Sequence, residues 1–161
     1  MTHAGTVILI DADACPVKDE AVRVALRHEV PITFVANQGF RLPRVPLVRQ
    51  QIVGDAFDAA DDWIAEAAEP GTVVVTADIL LADRCLKAGA RVLSPNGRSF
   101  TPDSIGAAIA QRAIMADLRG SGDQVGPGAP PFAKADRSRF LQALDTAISE
   151  ALAASRAEGD G

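Results

Sequence analysis

The chain alternates short apolar runs with stretches of helical spacing, and this alternation restricts its fold more than any other feature. Residues 7–10, Val-Ile-Leu-Ile, are long enough for a buried strand and too short for a helix. Pro16 then opens a stretch in which Val17, Ala21, Val22, Ala25 and Leu26 recur at helical spacing. A proline suits a first helical turn, where its missing N–H would have no partner. Pro31 leads into a second strand at 32–36. Residues 37–48 hold Gly39, Pro43 and Pro46 together with Arg41 and Arg44, with Arg49 just beyond, and read as a surface loop. Residues 50–53 read as a short edge strand, 58–68 as a helix stopped by Pro70-Gly71, and 72–76 as a third clear strand. A helix at 79–87 with Gly89 as its stop, a strand at 91–93, a turn at Pro95-Asn96-Gly97 and a helix from Thr101 to about residue 118 complete the pattern. Such alternation favours a parallel sheet with helices on both faces. The expected fold is three-layer α/β/α, with four to five mostly parallel strands.

The one break in composition is residues 120–131, with four glycines and three prolines. It divides an α/β domain at 1–119 and a linker at 120–135 from an amphipathic helix at 136–155, which carries Phe140, Leu141, Leu144 and Ile148 on one side. Residues 156–161 read as a frayed tail. A chain of 161 residues buries about two-thirds of its unfolded surface without disulfide or structural metal. No apolar run approaches the ~18–20 residues of a membrane span, and no secretory leader is evident. Cys15 and Cys85 have neither a disulfide framework nor a zinc spacing. The expectation is a cytoplasmic protein.

Net charge is −5, from 16 basic and 21 acidic residues, which argues against a basic nucleic-acid-binding surface. The acids are unevenly placed, however. Asp11, Asp13, Asp58, Asp61, Asp62, Asp78 and Asp83 fall near strand ends and helix starts, and the rest of the chain is 14 acids against 16 bases. Ligands of parallel sheets bind beyond the carboxyl ends of the strands. Asp11-Ala12-Asp13 closes the first strand, where residues i and i+2 share a face roughly 7 Å apart. Asp78 follows the third strand, and Asp58 shares a helix face with Asp61 and Asp62. Carboxylates converging in this way suit Mg²⁺ or Mn²⁺, which favour oxygen ligands and support phosphodiester cleavage. Structural readings compete: Asp58 suits an N-cap, Asp61 and Asp62 the positive end of a helix dipole, and Asp78 the cap of the next helix. Asp83, beside Arg84 and Lys87, reads as a solvated face.

Asn37-Gln38-Gly39-Phe40-Arg41, after the second strand, offers amide donors, a close backbone approach and a guanidinium fork for phosphate. Ser94-Pro95-Asn96-Gly97-Arg98 reads as a turn. Phe40 reads as tucked into its own domain and Trp63 as core or interface. Cys15 lies at a presumed helix N-terminus, which lowers a thiol pKa. The chain's two histidines, His3 and His28, are poorly placed to assist it, so packing is the expected role.

The run Ile10-Asp11-Ala12-Asp13-Ala14-Cys15-Pro16-Val17 is followed in order by Val35-Ala36-Asn37-Gln38, Phe57-Asp58-Ala59-Ala60-Asp61, Thr76-Ala77-Asp78-Ile79 and Leu118-Arg119-Gly120-Ser121-Gly122, then by Asp136-Arg137 and Phe140. Over residues 7–152 the chain resembles the uncharacterised bacterial YaiI/YqxD family, which looks like a divergent branch of PIN-like nuclease domains. The resemblance implies a Rossmann-like domain whose acidic pocket holds Mg²⁺ or Mn²⁺ and acts on RNA or DNA. It implies Asp11, Asp13 and Asp78 as metal ligands, Asp58 and Asp61 as further catalytic acids, and Asn37, Gln38 and Arg41 as substrate contacts. Ser94-Pro95-Asn96-Gly97 departs from the Asn-Pro-Arg-Gly expected there, and Asp62 stands at a variable position.

The leading expectation is a metal-dependent nuclease, with single-stranded RNA the favoured partner, no membrane association and a homodimer allowed. A haloacid-dehalogenase-like phosphatase would use Asp11 as nucleophile, Asp13 as acid/base and Thr76 as phosphate-binding hydroxyl. Against it, the acid pair Asp61-Asp62 precedes Thr76 and none follows. The third reading is a non-catalytic RNA- or protein-binding module.

Overall fold

The computed structural model describes residues 6–54, 58–120 and 133–159. The apolar runs are the strands β1 (Val7–Asp11), β2 (Ile32–Ala36), β4 (Thr72–Val75) and β5 (Arg91–Leu93). They are joined by β3 (Val48–Ile52) and by a two-residue β6 (Ser99–Phe100). The helices are α1 (Lys18–His28), α2 (Ala59–Ala67), α3 (Ile79–Lys87), α4 (Pro102–Gly120) and α5 (Lys134–Gly159). One sheet runs in the order β3-β2-β1-β4-β5-β6, parallel except for the antiparallel β5–β6 pair. This is the expected Rossmann-like three-layer α/β/α architecture, with one strand more than the apolar pattern marks. β6 is too short to leave a period, and pairing with β5 alone defines it.

Side-chain alternation sorts the strands onto two faces. Ile8, Ile10, Ile32, Phe34, Val73, Val75 and Leu93 pack with Val22 and Val24 of α1 and with Phe140, Leu144 and Ile148 of α5. Leu9, Val35, Val74 and Val92 point the other way, against Ile64 of α2, Leu81 and Cys85 of α3 and Ile105 of α4. Both faces are covered, so the central strands read as continuous apolar runs. Trp63 is half-buried in the second layer.

Helix boundaries differ from the sequence reading at several places: α4 runs on to Gly120 and α5 starts at Lys134, both inside the stretch read as a linker. α1 begins at Lys18 with Val17 as its N-cap, so Pro16 stands just outside the helix and not in its first turn. α5 continues to Gly159, through residues 156–159 that composition marks as frayed. The glycine- and proline-rich stretch at 121–132 and residues 160–161 lie outside the described residues.

α5 is fastened to α1 and to the β5–β6 turn. Arg137 Nη1 donates to the carbonyl of Pro16 at 2.9 Å and lies 3.3 Å from Glu20. At the other end His28 Nε2 lies 2.7 Å from Asp145 Oδ1. Between them Gly97 has φ +89°, and a Cβ there would come within 2.7 Å of the Arg139 carbonyl carbon and 2.8 Å of the Phe140 nitrogen. The turn therefore touches the helix backbone to backbone. Gly97→Ala meets both a left-handed φ and a steric block, and is expected to destabilise the fold by more than about 1 kcal/mol. Urea unfolding, followed by far-UV circular dichroism, measures the loss.

Candidate functional site

β1 and β4 lie side by side at the middle of the sheet. The chain progresses from β1 through β2 to β3 on one side, and from β4 through β5 to β6 on the other. The helices that follow β1 and β4 enter opposite layers. A crevice opens between diverging connections of this kind, and in open parallel sheets ligands bind there. Asp11 ends β1 and shares the face of Leu9, toward α2 and α3.

Thr76, buried just beyond β4, joins the two central strands. Its hydroxyl donates to Asp11 Oδ2 at 2.8 Å and accepts from the backbone N–H of Asp78 at 3.0 Å. Asp78 Oδ1 in turn accepts from Leu80 N at 2.9 Å and Leu81 N at 3.1 Å. Asp78 therefore caps α3 and still holds a carboxylate at the crevice.

Asp13 is not on the strand. β1 stops at Asp11, and Ala12–Ala14 form a 3₁₀ turn. The spacing argument for two carboxylates on one strand face does not describe this segment. Asp13 is exposed, and its Oδ1 accepts from the backbone N–H of Asn37 at 3.2 Å. Asp58 occupies the N-cap position of α2, but its side chain makes no capping hydrogen bond. Asp61 is half-buried in the first turn of that helix.

The electrostatics shows which acids share a field. Burial pushes the Asp61 carboxyl up to about 6, with help from the neighbouring charges of Asp78, Asp11 and Asp58, while Arg84 pulls it back. Burial likewise raises Asp11; the Thr76 hydrogen bond lowers it, and Asp13 and Asp78 raise it further. The two outlying acids are neutralised. Arg84 Nη1 lies 2.9 Å from Asp62 Oδ1, and Lys87 Nζ 2.9 Å from Asp83 Oδ2. Asp11, Asp13, Asp58, Asp61 and Asp78 have no cationic partner within salt-bridge distance among the described residues.

Among the described residues no three His, Cys, Asp or Glu side chains are placed to share one metal ion. The donor set is nonetheless one that a hydrated dication accepts. Mg²⁺ commonly takes one or two carboxylates and keeps several waters. Asp11 has one oxygen engaged by Thr76, and Asp78 has one engaged by its cap. Each keeps a second oxygen with no protein hydrogen bond among the described residues.

The polar loop after β2 divides. Asn37 belongs to the crevice: its N–H holds Asp13, and its Nδ2 donates to the Gly54 carbonyl at 3.1 Å. Gln38 is exposed beside it. Arg41 instead lines a separate cavity with Phe40 and Arg44. Phe40 is tucked inward, its ring edge-on to Phe34 with centroids 5.8 Å apart. Cys15 is buried, and burial raises its thiol pKa, against the lowering expected from a helix N-terminus; it packs and is not activated. Ser94, Asn96 and Arg98 form a closed turn, with Arg98 N donating to Ser94 Oγ at 3.1 Å. Two features escaped the sequence reading: Thr76 as the joint between the acids, and Arg84 as the group that removes Asp62 from the cluster. The first left a trace, a hydroxyl two residues before an acid at a strand end.

The fold is that of a Rossmann-like α/β protein, with carboxylates just beyond its two central strands. Residues 9–150 match the family described as "Uncharacterized BCR, YaiI/YqxD family". The chain belongs to that family. It is 66% identical over 143 residues to a UPF0178 protein of Sphingopyxis alaskensis, covering 88% of this chain and 92% of the relative. It is 56% identical over 148 residues to a UPF0178 protein of Bradyrhizobium diazoefficiens, covering 92% and 88%. A UPF0178 protein of Rhodospirillum centenum is 56% identical over 145 residues, covering 88% and 94%. No solved structure matches the chain. No described helix is long and apolar enough to cross a membrane.

The raised carboxyls have a consequence for stability. A carboxylate whose pKa is higher folded than unfolded binds its proton more tightly in the native state. Its contribution is present at low pH and is lost as pH rises from the ordinary value of 3.8 through about 6. In EDTA, the melting temperature is expected to fall over this interval, and Asp61→Asn is expected to flatten that fall and melt higher at pH 7. Differential scanning calorimetry at stepped pH checks both.

Proposed function

We propose that this protein is a metal-dependent hydrolase of nucleic-acid phosphodiesters, with single-stranded RNA as its preferred substrate class. What supports the reading is that Asp11, Asp61 and Asp78 feel one another's charge beyond the two central strands, each without a cationic partner within salt-bridge distance among the described residues. Mutual repulsion there is relieved by a dication or by protonation. Asp11 and Asp78 are the residues that would hold Mg²⁺ or Mn²⁺, which when bound supplies positive charge for a phosphodiester and eases ionisation of an attacking water.

The chain's own groups divide the remaining work. The Thr76 hydroxyl fixes the orientation of Asp11. Asp61, with a carboxyl pushed up to about 6, is matched to accepting a proton near neutrality. Asp13 and Asp58 add negative potential at the rim. Asn37 anchors the rim by holding Asp13 and the Gly54 carbonyl, and Gln38 extends its polar edge. The phosphatase reading is less well supported. The hydroxyl it would direct to phosphate, that of Thr76, is engaged by Asp11 and the Asp78 N–H.

The test is Mn²⁺-supported cleavage of labelled single-stranded RNA. Asp11→Asn and Asp78→Asn keep an acceptor oxygen, so the α3 cap survives in the second. Each is expected to lose activity by at least about a hundredfold, and Thr76→Val by roughly 10–100-fold, as for groups that orient a metal ligand. Full activity in both asparagine variants would remove the assignment. Hydrolysis of an aryl phosphate without RNA cleavage would transfer it to the phosphatase reading.

A further inference from the structure

Outside the acidic crevice the most distinctive surface is a basic one. Residues 30–54 contain three arginines and no acid, in a chain of net charge −5. Two of the three, Arg41 and Arg44, line a cavity of about 570 Å³ with Phe40, Leu42, Val48 and Gln50. That volume falls within the range of small-ligand sites. Arg41 and Arg44 are exposed, and neither has an acid partner among the described residues. Surface arginines beside acids pair with them, as Arg84, Arg137 and Arg139 do here. Two guanidinium groups lining one cavity on an acid-free loop offer forks for an anion.

The cavity is built and not a gap in a loose loop. Phe40 is held by the edge contact to Phe34, and Lys18 Nζ lies 5.0 Å from its ring centroid. Lys18 is itself fixed by donating to the Cys15 carbonyl at 3.0 Å. Gln50 Nε2 donates to the Phe40 carbonyl at 3.3 Å, tying the loop to β3. Arg41 follows Asn37, which holds Asp13, by four residues. At about 3.5 Å per residue the cavity's guanidinium loop starts within roughly 14 Å of the crevice rim. Negative crevice and positive cavity are thus adjacent. A polymer with repeated phosphates satisfies both, one phosphate at the crevice through a dication and another at the guanidinium groups.

We infer that the cavity between the 37–47 loop and β3 is a subsite for the backbone of single-stranded nucleic acid, in which Arg41 and Arg44 hold a phosphate flanking the one at the crevice. Arg41 is thereby assigned away from the scissile phosphate. That the phosphate at the crevice is the one cleaved rests on the hydrolase reading above; the binding at Arg41 and Arg44 does not.

The experiment measures fluorescence anisotropy of a labelled twelve-nucleotide oligouridylate. It uses Asp11→Asn protein in Mn²⁺, so that cleavage does not consume the probe. Adding Arg41→Ala and Arg44→Ala is expected to weaken binding about tenfold. It should also reduce the slope of log affinity against log salt by roughly 0.7, for one phosphate contact on a single strand. Arg98→Ala with Arg156→Ala, the same charge change on the β5–β6 turn and on α5, is expected to leave both quantities nearly unchanged. Equal losses in the two double variants, or none in either, would overturn the subsite. So would displacement of the probe by inorganic phosphate at equal concentration, which would mark a small-anion site, or binding of an acidic peptide in preference to the oligonucleotide. Cleavage by the wild type is read separately. Unchanged binding with persistent cleavage removes only the subsite, and arginine-dependent binding without cleavage removes only the hydrolase reading.

Discussion

The Thr76 hydroxyl is the joint on which the crevice depends. One oxygen just beyond the central strand β4 links two other parts of the fold: it donates to the carboxylate closing β1 and accepts from the N–H that begins the turn into α3. Two acids 67 positions apart in sequence are set against each other through it. A buried hydroxyl with both capacities satisfied is rigid. The Asp11 carboxylate cannot turn away without losing the bond from the buried Thr76 hydroxyl, nor that of Asp78 without losing the N–H groups of Leu80 and Leu81. The sheet therefore maintains an electrostatic conflict that an unsupported pair of side chains would escape by rotation.

How that conflict is shared explains which acids matter. Arg84 and Lys87, on the exposed side of α3, draw off Asp62 and Asp83. Asp61, one position from Asp62, turns inward and feels the charges of Asp78 and Asp11. A step of one residue along α2 separates a paired surface acid from an acid with a strongly raised pKa. The basic residues thus sharpen the boundary of the negative crevice without filling it.

The sheet and its helices were largely legible in sequence because buried parallel strands are written as unbroken runs of Val, Ile and Leu. β6 was not, since Ser99 and Phe100 carry no period of their own and depend on the register with β5. The aspartates after β1 and β4 were legible because strand ends are where such sheets bind ligands. The turn at Ala12–Ala14 was not, and with it went the picture of Asp11 and Asp13 as strand neighbours; what places Asp13 is an N–H from Asn37, 24 residues away. Arg41 looked like a companion of Asn37 because four positions separate them, yet the loop carries it to β3. Contacts at long separation, such as Arg84 with Asp62, leave no local signature.

The clasp of α5 on Gly97 and α1 bears on the order in which the protein can be made. Phe140, Leu144 and Ile148 share with α1 the covering of one face of the sheet. Every strand beneath them is synthesised first. At about 5–20 residues per second, the roughly sixty residues between Leu93 and Leu152 take the ribosome about 3–12 s. Throughout that interval the nascent sheet carries Ile8, Ile10, Val73 and Val75 without their final cover.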